Sequence, residues 1–402
     1  MPGTLSLAPD GRLDGPLPTL GEEPLQPCTL HVSDSALEFL RHKLAVTRLP
    51  ESETVEDWSQ GVPLDEIVEL LTYWRTEYQW RDVEGELNEI GHYRARIDGL
   101  GIHFLHIRSR HPDALPLLLT HGWPGSVLEF QGIIGPLTDP TVHGASPSEA
   151  FHLVIPSLPG FGLSDKPTEP GWGMARIARA WHALMSGLGY DRYVAQGGDL
   201  GAGVTTALGY QRPPGLLGIH LNLPILFAPP PVANTSTPGE DAALEQLATH
   251  ARSGSAYALL QSTRPQTLGY SLADSPAGQA AWIYEKIAAW TDSDLRPQEV
   301  LSRRTILDNI TLYWLTNTAA SSARLYHESF NSEFVTTPID LPVAVSIFPK
   351  ELYRAPKIWA QRVYRNLCYW NDQIPTGGHF AAWEQPSTFV NELRACFGEF
   401  RR

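Results

Sequence analysis

A short turn at residues 197–201, Gly-Gly-Asp-Leu-Gly, limits most strongly what this chain can fold into. Residues 192–195 before it are typical of a buried strand, and residues 202–208 after it predict a helix. In the related G-x-S-x-G turn, small residues let the backbone bend sharply, so that the central side chain stands alone above the sheet as a nucleophile. The pattern G-x-D-x-G therefore predicts a strand, a tight turn and a helix, with Asp199 as the presented side chain.

An aspartate in this position restricts the chemistry. Attack on an ester or amide would give an anhydride, whereas attack on a saturated carbon gives an ester that water can cleave. The turn thus favours an epoxide or an alkyl halide as the electrophile. Taken alone, it leaves open the alternative that Asp199 only caps the helix, because aspartate is common at helix N-termini.

A second loop upstream has the features of an oxyanion hole. Residues 115–120 form a continuous apolar run, typical of a strand buried on both faces, and the loop 121–126 follows it. In hydrolases with this order of elements, one amide of such a loop and the amide after the nucleophile bind the oxyanion. The corresponding residues here are Trp123 and Leu200, although a purely structural turn remains the alternative for the loop.

Release of an ester requires a base and an acid that orients it, and both follow later in the chain. His379 lies in a Gly-Gly loop after a short predicted strand, and Glu351 lies just beyond a late apolar strand. The order Asp199, Glu351, His379 is that of the nucleophile, acid and histidine in α/β hydrolases. Asp340 and Asp372 are rival acids, but their positions relative to the strands fit less well.

The sequence resembles the epoxide hydrolases of the microsomal type, and in particular their soluble fungal and bacterial members. The resemblance covers most of the chain, with its pieces in the expected order and at suitable spacing. It rests on an aromatic N-terminal region at residues 73–88, on residues 97–104, on the oxyanion loop 121–126, on the nucleophile turn 197–201 and on the histidine loop 377–386.

This resemblance implies a fold and a set of roles. The expected fold is an α/β-hydrolase core with a mostly parallel sheet, an inserted helical lid and an N-terminal extension. Asp199 would be the nucleophile, His379 the base and Glu351 the acid, and two lid tyrosines, Tyr257 and Tyr326, would hold and protonate the epoxide oxygen. At Leu200, relatives often carry tryptophan, which affects pocket shape more than mechanism.

Changes in composition along the chain give the predicted organisation. Proline-rich and glycine-rich segments after residue 224 mark the start of the lid, and residues 102–107 are expected to begin the sheet. Residues 67, 70, 71 and 74 give the N-terminal part an apolar helix face that needs a partner. The predicted units are an N-terminal extension wrapping the core (1–95), the first part of the core (96–225), the lid (226–335) and the second part of the core (336–402).

Composition excludes several other classes. The 402-residue chain carries a net charge of −14 with no basic run, which argues against a nucleic-acid partner. Cys28, Cys368 and Cys396 form neither a metal-binding pair nor an even disulfide set, so we expect a reducing compartment and no metal. The first thirty residues hold no apolar run long enough to span a membrane, and a soluble, cytoplasmic protein is expected.

The expected function is hydrolysis of an epoxide to a vicinal diol through an ester on Asp199, with water as the second reactant and no cofactor. A haloalkane dehalogenase is the enzyme alternative, since it shares the aspartate and needs halide donors such as Trp123. A non-catalytic binding protein on the same scaffold is the other alternative. The sequence leaves the oligomeric state open and permits a homodimer through the lid.

Overall fold

The computed structural model describes residues 3–15, 17–20, 25–224, 237–330 and 338–401. Within these ranges one twisted sheet of eleven strands runs through the molecule, in the order β11-β10-β9-β8-β6-β7-β5-β4-β3-β1-β2. The strands are β1 (Gly3–Leu7), β2 (Leu13–Asp14), β3 (Cys28–Val32), β4 (His92–Ile97), β5 (Leu100–Ile107), β6 (Leu115–Thr120), β7 (Phe151–Pro156), β8 (Tyr193–Gly197), β9 (Leu216–Leu221), β10 (Ile339–Ser346) and β11 (Tyr364–Asn371).

Helices pack on this sheet and form the lid. The helices are α1 (Asp34–Ala45), α2 (Leu64–Thr76), α3 (Trp80–Ile90), α4 (Gln131–Thr138), α5 (Met174–Gly187), α6 (Asp199–Gln211), α7 (Pro238–Thr249), α8 (Ala256–Thr263), α9 (Pro265–Asp274), α10 (Pro276–Trp290), α11 (Arg303–Thr316), α12 (Ala319–Phe330), α13 (Lys357–Val363), α14 (Ala381–Glu384) and α15 (Pro386–Phe397). Short 3-10 turns include Val127–Phe130, which follows the loop after β6.

The centre of the sheet is parallel. Strands β7, β6, β8, β9, β10 and β11 pair in parallel, whereas β4, β5 and β7 pair in antiparallel fashion. The apolar run of β6 lies in the middle of the sheet with Leu117, Leu118 and Leu119 inaccessible to solvent, as expected for a strand covered on both faces. Because the carboxyl ends of parallel strands lie along one edge, the loops after β6, β8, β10 and β11 meet there. These loops and the first turn of α6 carry the predicted site residues other than the two lid tyrosines.

The sheet begins earlier than the sequence predicted. The prediction that residues 102–107 start it is wrong, because β1 to β4 extend the same sheet beyond β5. The early strands are short, and β3 joins β4 through the single pair Cys28–His92. Apolar buried and polar exposed residues alternate along β3, but this strand signal covers only five residues.

The N-terminal helices contact the lid. The apolar face of α2 is formed by Ile67, Leu70, Leu71 and Trp74, all buried as its spacing predicts. Helices α1 and α2 contact α10, and α1 and α3 contact α11. The N-terminal part therefore packs against lid helices α10 and α11.

Helices α7 to α12 occupy the region predicted as the lid, between β9 and β10. The predicted start of the lid at residue 226 and its predicted end at residue 335 both lie outside the described residues. Within the described ranges, no helix has the length and the apolar character needed to cross a lipid bilayer.

Candidate active site

The nucleophile turn is a tightly packed bend between β8 and α6. Asp199 is the first residue of α6 and has a φ of +49°, in the left-handed region that few side chains occupy. A Cβ added at Gly201 would lie 2.0 Å from the carbonyl oxygen of Thr120, and one added at Gly122 would lie 2.3 Å from the Asp199 side chain. The glycines are needed because two loops meet here without room for side chains.

The carboxylate of Asp199 is not a helix cap. The N-cap residue of α6 is Gly198, and no side chain caps this end. Instead, the backbone N–H of Trp123 donates to Asp199 Oδ1 at 2.8 Å. The capping alternative is therefore wrong, and the carboxylate faces the loop after β6.

One of the two predicted oxyanion donors contacts this carboxylate. Trp123 contributes the N–H just described. The amide of Leu200 belongs to the first turn of α6, where N–H groups have no acceptor within the helix; the first such bond runs from Ala202 N to Gly198 O. The position at a helix N-terminus also favours negative charge.

The structure brings the predicted base and acid to Asp199. His379 Nε2 lies 3.2 Å from Asp199 Oδ2, and His379 Nδ1 lies 2.5 Å from Glu351 Oε1. The side chains of His379 and Glu351 are almost inaccessible, at 2% and 0% exposure. The three residues therefore form a continuous chain of hydrogen bonds.

The rival acids lie elsewhere. Asp340 is part of β10 and pairs at the surface with Arg212 and Arg365. The Asp372 carboxylate accepts a hydrogen bond from its neighbour Gln373. Of the three acids weighed from the sequence, only Glu351 contacts His379 in the described part of the chain.

Opposing effects set the pKa of His379. Burial acts to lower it, but the charge of Glu351 and the hydrogen bonds to Asp199 and Glu351 outweigh burial and hold the pKa well above its usual range. The imidazolium form is thus stabilised while Asp199 is ionised. Loss of the negative charge on Asp199 removes one of these contributions, so conversion of Asp199 to an ester lowers the pKa of His379 and favours the neutral imidazole that can accept a proton.

Backbone contacts join the acid and histidine loops. Lys350 N donates to Gly377 O at 3.1 Å, which places Glu351 directly opposite His379. The amide of His379 donates to Trp290 O at 2.9 Å, at the end of lid helix α10. The base is therefore fixed by contacts from both the core and the lid.

Glu384 is a residue of this loop whose role the sequence did not predict. Its carboxylate accepts the backbone N–H groups of Gly378 and Phe380, on either side of His379, and that of Asp292 from the lid. Burial raises the pKa of Glu384 to about 7, although the three amide bonds oppose the shift. A carboxylate that accepts backbone N–H groups leaves no sequence pattern, and the only indication was the position of Glu384 within the histidine loop 377–386.

The two predicted lid tyrosines lie over the oxyanion loop. Tyr257 from α8 stacks on Trp123 with ring centroids 5.1 Å apart, and Tyr326 from α12 approaches the same ring edge-on at 6.1 Å. The two phenol rings are 5.9 Å apart. Burial, followed by nearby negative charge that includes Asp199, raises the pKa of both phenols well above 10. Both side chains are therefore uncharged proton donors at neutral pH.

Lys286 is a further charge at the lid that the sequence did not reveal. Its ammonium group lies 4.9 Å from the centroid of the Tyr257 ring and pairs with Glu285 at 2.6 Å. A cation over an aromatic face is attracted to it. Tyr257 is thus in contact with both Trp123 and Lys286.

A mostly parallel sheet with Asp199, Glu351 and His379 in loops at its carboxyl edge defines the chain as an α/β hydrolase. Residues 116–272 match the family model for the alpha/beta hydrolase fold, and residues 25–130 match the model for the epoxide hydrolase N terminus.

Comparison with known proteins agrees with these matches. A Stigmatella aurantiaca protein assigned to the epoxide hydrolases is 58% identical over 94% of this chain and 86% of its own length. The Aspergillus niger epoxide hydrolase structure superposes with a TM-score of 0.84 at 31% identity, covering 96% of this chain and 98% of that chain. The structure of the juvenile hormone epoxide hydrolase from Bombyx mori superposes with a TM-score of 0.86 at 30% identity. The match covers 95% of this chain and 96% of that chain.

The chain therefore belongs to the epoxide hydrolase family and is a hydrolase that acts on epoxides. This outcome confirms the resemblance and the fold class stated from the sequence. It also excludes the reading as a non-catalytic binding protein.

Proposed function

We propose that the protein converts epoxides to vicinal diols through a covalent ester on Asp199, which a water activated by His379 then cleaves. The observation that carries this proposal is the pair of contacts to one carboxylate. Oδ1 accepts the Trp123 amide, and Oδ2 faces His379 Nε2. The two oxygens thus have different surroundings, as a nucleophile that becomes an ester requires.

In the first step, Asp199 Oδ2 attacks a ring carbon of the epoxide and the carbon–oxygen bond of the ring breaks. Tyr257 and Tyr326 donate hydrogen bonds to the ring oxygen, and one phenol gives its proton to the alkoxide that develops. A phenol suits this role because it remains protonated at neutral pH yet is far more acidic than an alcohol. Burial of both hydroxyls strengthens their interaction with the developing charge.

In the second step, His379 takes a proton from water, and the water oxygen attacks the ester carbonyl carbon of Asp199. Oδ1 becomes the oxyanion, which the amides of Trp123 and Leu200 stabilise. Glu351 holds the imidazole and stabilises the imidazolium that forms. Collapse of this intermediate expels the diol, which takes the proton from His379 and carries away Oδ2. The other hydrogen of the water remains on the Asp199 carboxyl group, and its loss restores both the carboxylate and the phenol that gave up its proton in the first step.

An epoxide fits these residues better than an alkyl halide. A departing halide needs only N–H donors, whereas the alkoxide from an epoxide needs a proton that Tyr257 and Tyr326 can supply. Measuring diol formation against halide release would separate the two reactions. Release of halide without turnover of any epoxide would favour the dehalogenase.

Trapping of the ester tests the mechanism. The variant His379→Gln should form the ester on mixing with an epoxide that the wild type turns over, but should hydrolyse it too slowly to regenerate the enzyme. Intact-mass measurement would then show the protein mass plus that of the epoxide, and peptide mapping would place the adduct on Asp199. His106→Gln is a matched control, because His106 is a half-buried histidine that contacts Tyr190 away from the site. Absence of any adduct in His379→Gln would contradict the mechanism.

The predicted organisation is also proposed here: an N-terminal extension (1–95), a core (96–225 and 336–402) and a lid (226–335). The reactants of the proposed reaction are an epoxide and water, and it uses no cofactor. The three free cysteines support a cytoplasmic location. A homodimer through the lid would use exposed apolar residues there, such as Leu259 and Tyr270.

A further inference from the structure

A small cavity with both polar and apolar lining lies beside the nucleophile and the base. Asp199 and His379 both line it, together with Glu129, Gln196 and Asn222. The space that the centre of a water-sized sphere can occupy there is about 20 Å³, and one water molecule needs on the order of 10–15 Å³. The cavity therefore has the size and the polarity to hold a single water molecule next to both reacting groups.

Gln196 presents a buried acceptor at this cavity. The side chain is 1% exposed, and its Nε2 donates to Asn222 Oδ1 at 2.9 Å. Its Oε1 is buried and has no hydrogen-bond partner among the described residues. A buried acceptor without a partner costs free energy, so an O–H group in the cavity would stabilise this arrangement.

Glu129 presents a carboxyl group at the same cavity. It lies directly over Gly125, where an added Cβ would overlap its Oε1, and it accepts the backbone N–H of Ser126. Burial raises the pKa of Glu129 to about 8; the positive charge of His379 opposes the shift and the negative charge of Asp199 adds to it. Glu129 is therefore mostly uncharged at neutral pH, so it does not repel Asp199 and has an O–H to donate.

We propose that this cavity holds the water that cleaves the ester, with Gln196 and Glu129 as the residues that position it. The inference rests on the proposed function, because it assumes an ester on Asp199. The water donates one hydrogen to His379 Nε2 and the other to Gln196 Oε1, while the Glu129 O–H donates to the water oxygen. One lone pair of that oxygen is then free to attack the ester carbon. The proton taken by His379 passes to the departing diol oxygen, and Gln196 and Glu129 finish the reaction unchanged.

The test separates formation of the ester from its hydrolysis. Gln196→Met and Glu129→Met keep the length of each side chain but remove its hydrogen-bonding end. After rapid mixing with an epoxide, time-resolved intact-mass measurement gives both rates. Ester formation should stay within about threefold of the wild type, whereas ester hydrolysis should slow about tenfold, which corresponds to about 1.4 kcal/mol. Glu129→Gln should recover most of the loss, because an amide N–H replaces the O–H as donor.

Two control variants change buried polar residues outside the cavity. Gln279→Met replaces a buried glutamine of α10 whose Nε2 donates to Ile310 O, and Asp308→Asn replaces a buried acid of α11. Both should leave the ratio of the two rates unchanged. Leucine variants at positions 129 and 196 supply a second pair if a methionine variant does not fold.

The outcomes are distinct. Wild-type rates of ester hydrolysis in the variants at Gln196 and Glu129 would overturn the inference while leaving the covalent mechanism intact. Equal slowing of both steps would also overturn it, because that result indicates a structural role. Failure of His379→Gln to form any ester would instead contradict the proposed function itself.

Discussion

Replacing Glu351 by glutamine should uncouple the two halves of the reaction. The change keeps the shape of the side chain but removes the negative charge that lies 2.5 Å from His379 Nδ1. A hydrogen bond to a charged group contributes about 1.5–3 kcal/mol, and each 1.36 kcal/mol corresponds to about tenfold in rate. Because His379 becomes positively charged only as it activates water, ester hydrolysis should slow by about 10- to 150-fold.

Ester formation should change far less in the same variant, by about threefold or less, because that step needs no proton transfer to His379. Rapid mixing with an epoxide, quenching and intact-mass measurement would follow the ester directly, and the variant should accumulate it where the wild type does not. Asp340→Asn and Asp372→Asn are matched controls that remove the rival acids and should behave as the wild type. Ester hydrolysis at the wild-type rate in Glu351→Gln would refute the role given to this carboxylate.

Three further predictions address the lid, the base and the stability of the fold. Tyr257→Phe and Tyr326→Phe should each slow ester formation by about tenfold, the effect of one lost hydrogen bond of about 1.4 kcal/mol, and should change ester hydrolysis little. Single-turnover assays measure both rates, and equal effects on the two steps would argue against proton donation by these phenols. Asp199→Asn should lower the pKa of His379 relative to the wild type, because the hydrogen bond and negative charge that raise it are weakened; an unchanged titration of the imidazole in NMR spectra would contradict this. Burial raises the pKa of Asp308 from 3.8 to about 7. Between these two pH values the unfolded chain has lost the Asp308 proton while the folded protein still holds it. The free energy of unfolding therefore falls as the pH rises from about 4 to about 7. The free energy of unfolding of Asp308→Asn, relative to that of the wild type, should therefore increase from pH 4.5 to pH 8, by at most about 4 kcal/mol. Urea unfolding of both proteins at the two pH values measures this, and a difference between the proteins that is the same at both pH values would disprove the explanation.

The sequence predicted those parts of the site that sit directly after strands. Asp199, Trp123 and His379 follow apolar runs, and the parallel arrangement of those strands forces their loops to one edge. Glu351 required the same reasoning together with a choice among three acids. Its selection depended on the position of each acid relative to the predicted strands.

Other parts could not be predicted from local pattern. The early strands were missed although apolar and polar residues alternate along β3, because that alternation covers only five residues. The two lid tyrosines came from the family resemblance, because nothing in their local sequence separates them from other buried tyrosines. Glu129 and Glu384 were missed because their surroundings are assembled from distant segments, and burial by such segments is what shifts the pKa of each.

The most direct test of covalent attack by Asp199 is one turnover in water enriched in ¹⁸O, with enzyme in excess over epoxide. The first diol should carry no label, because its new oxygen is Oδ2 of Asp199, and the label should appear in the Asp199 carboxylate on peptide mapping. A labelled diol after that single turnover, with an unlabelled Asp199, would show that water attacks the epoxide directly and would contradict the mechanism.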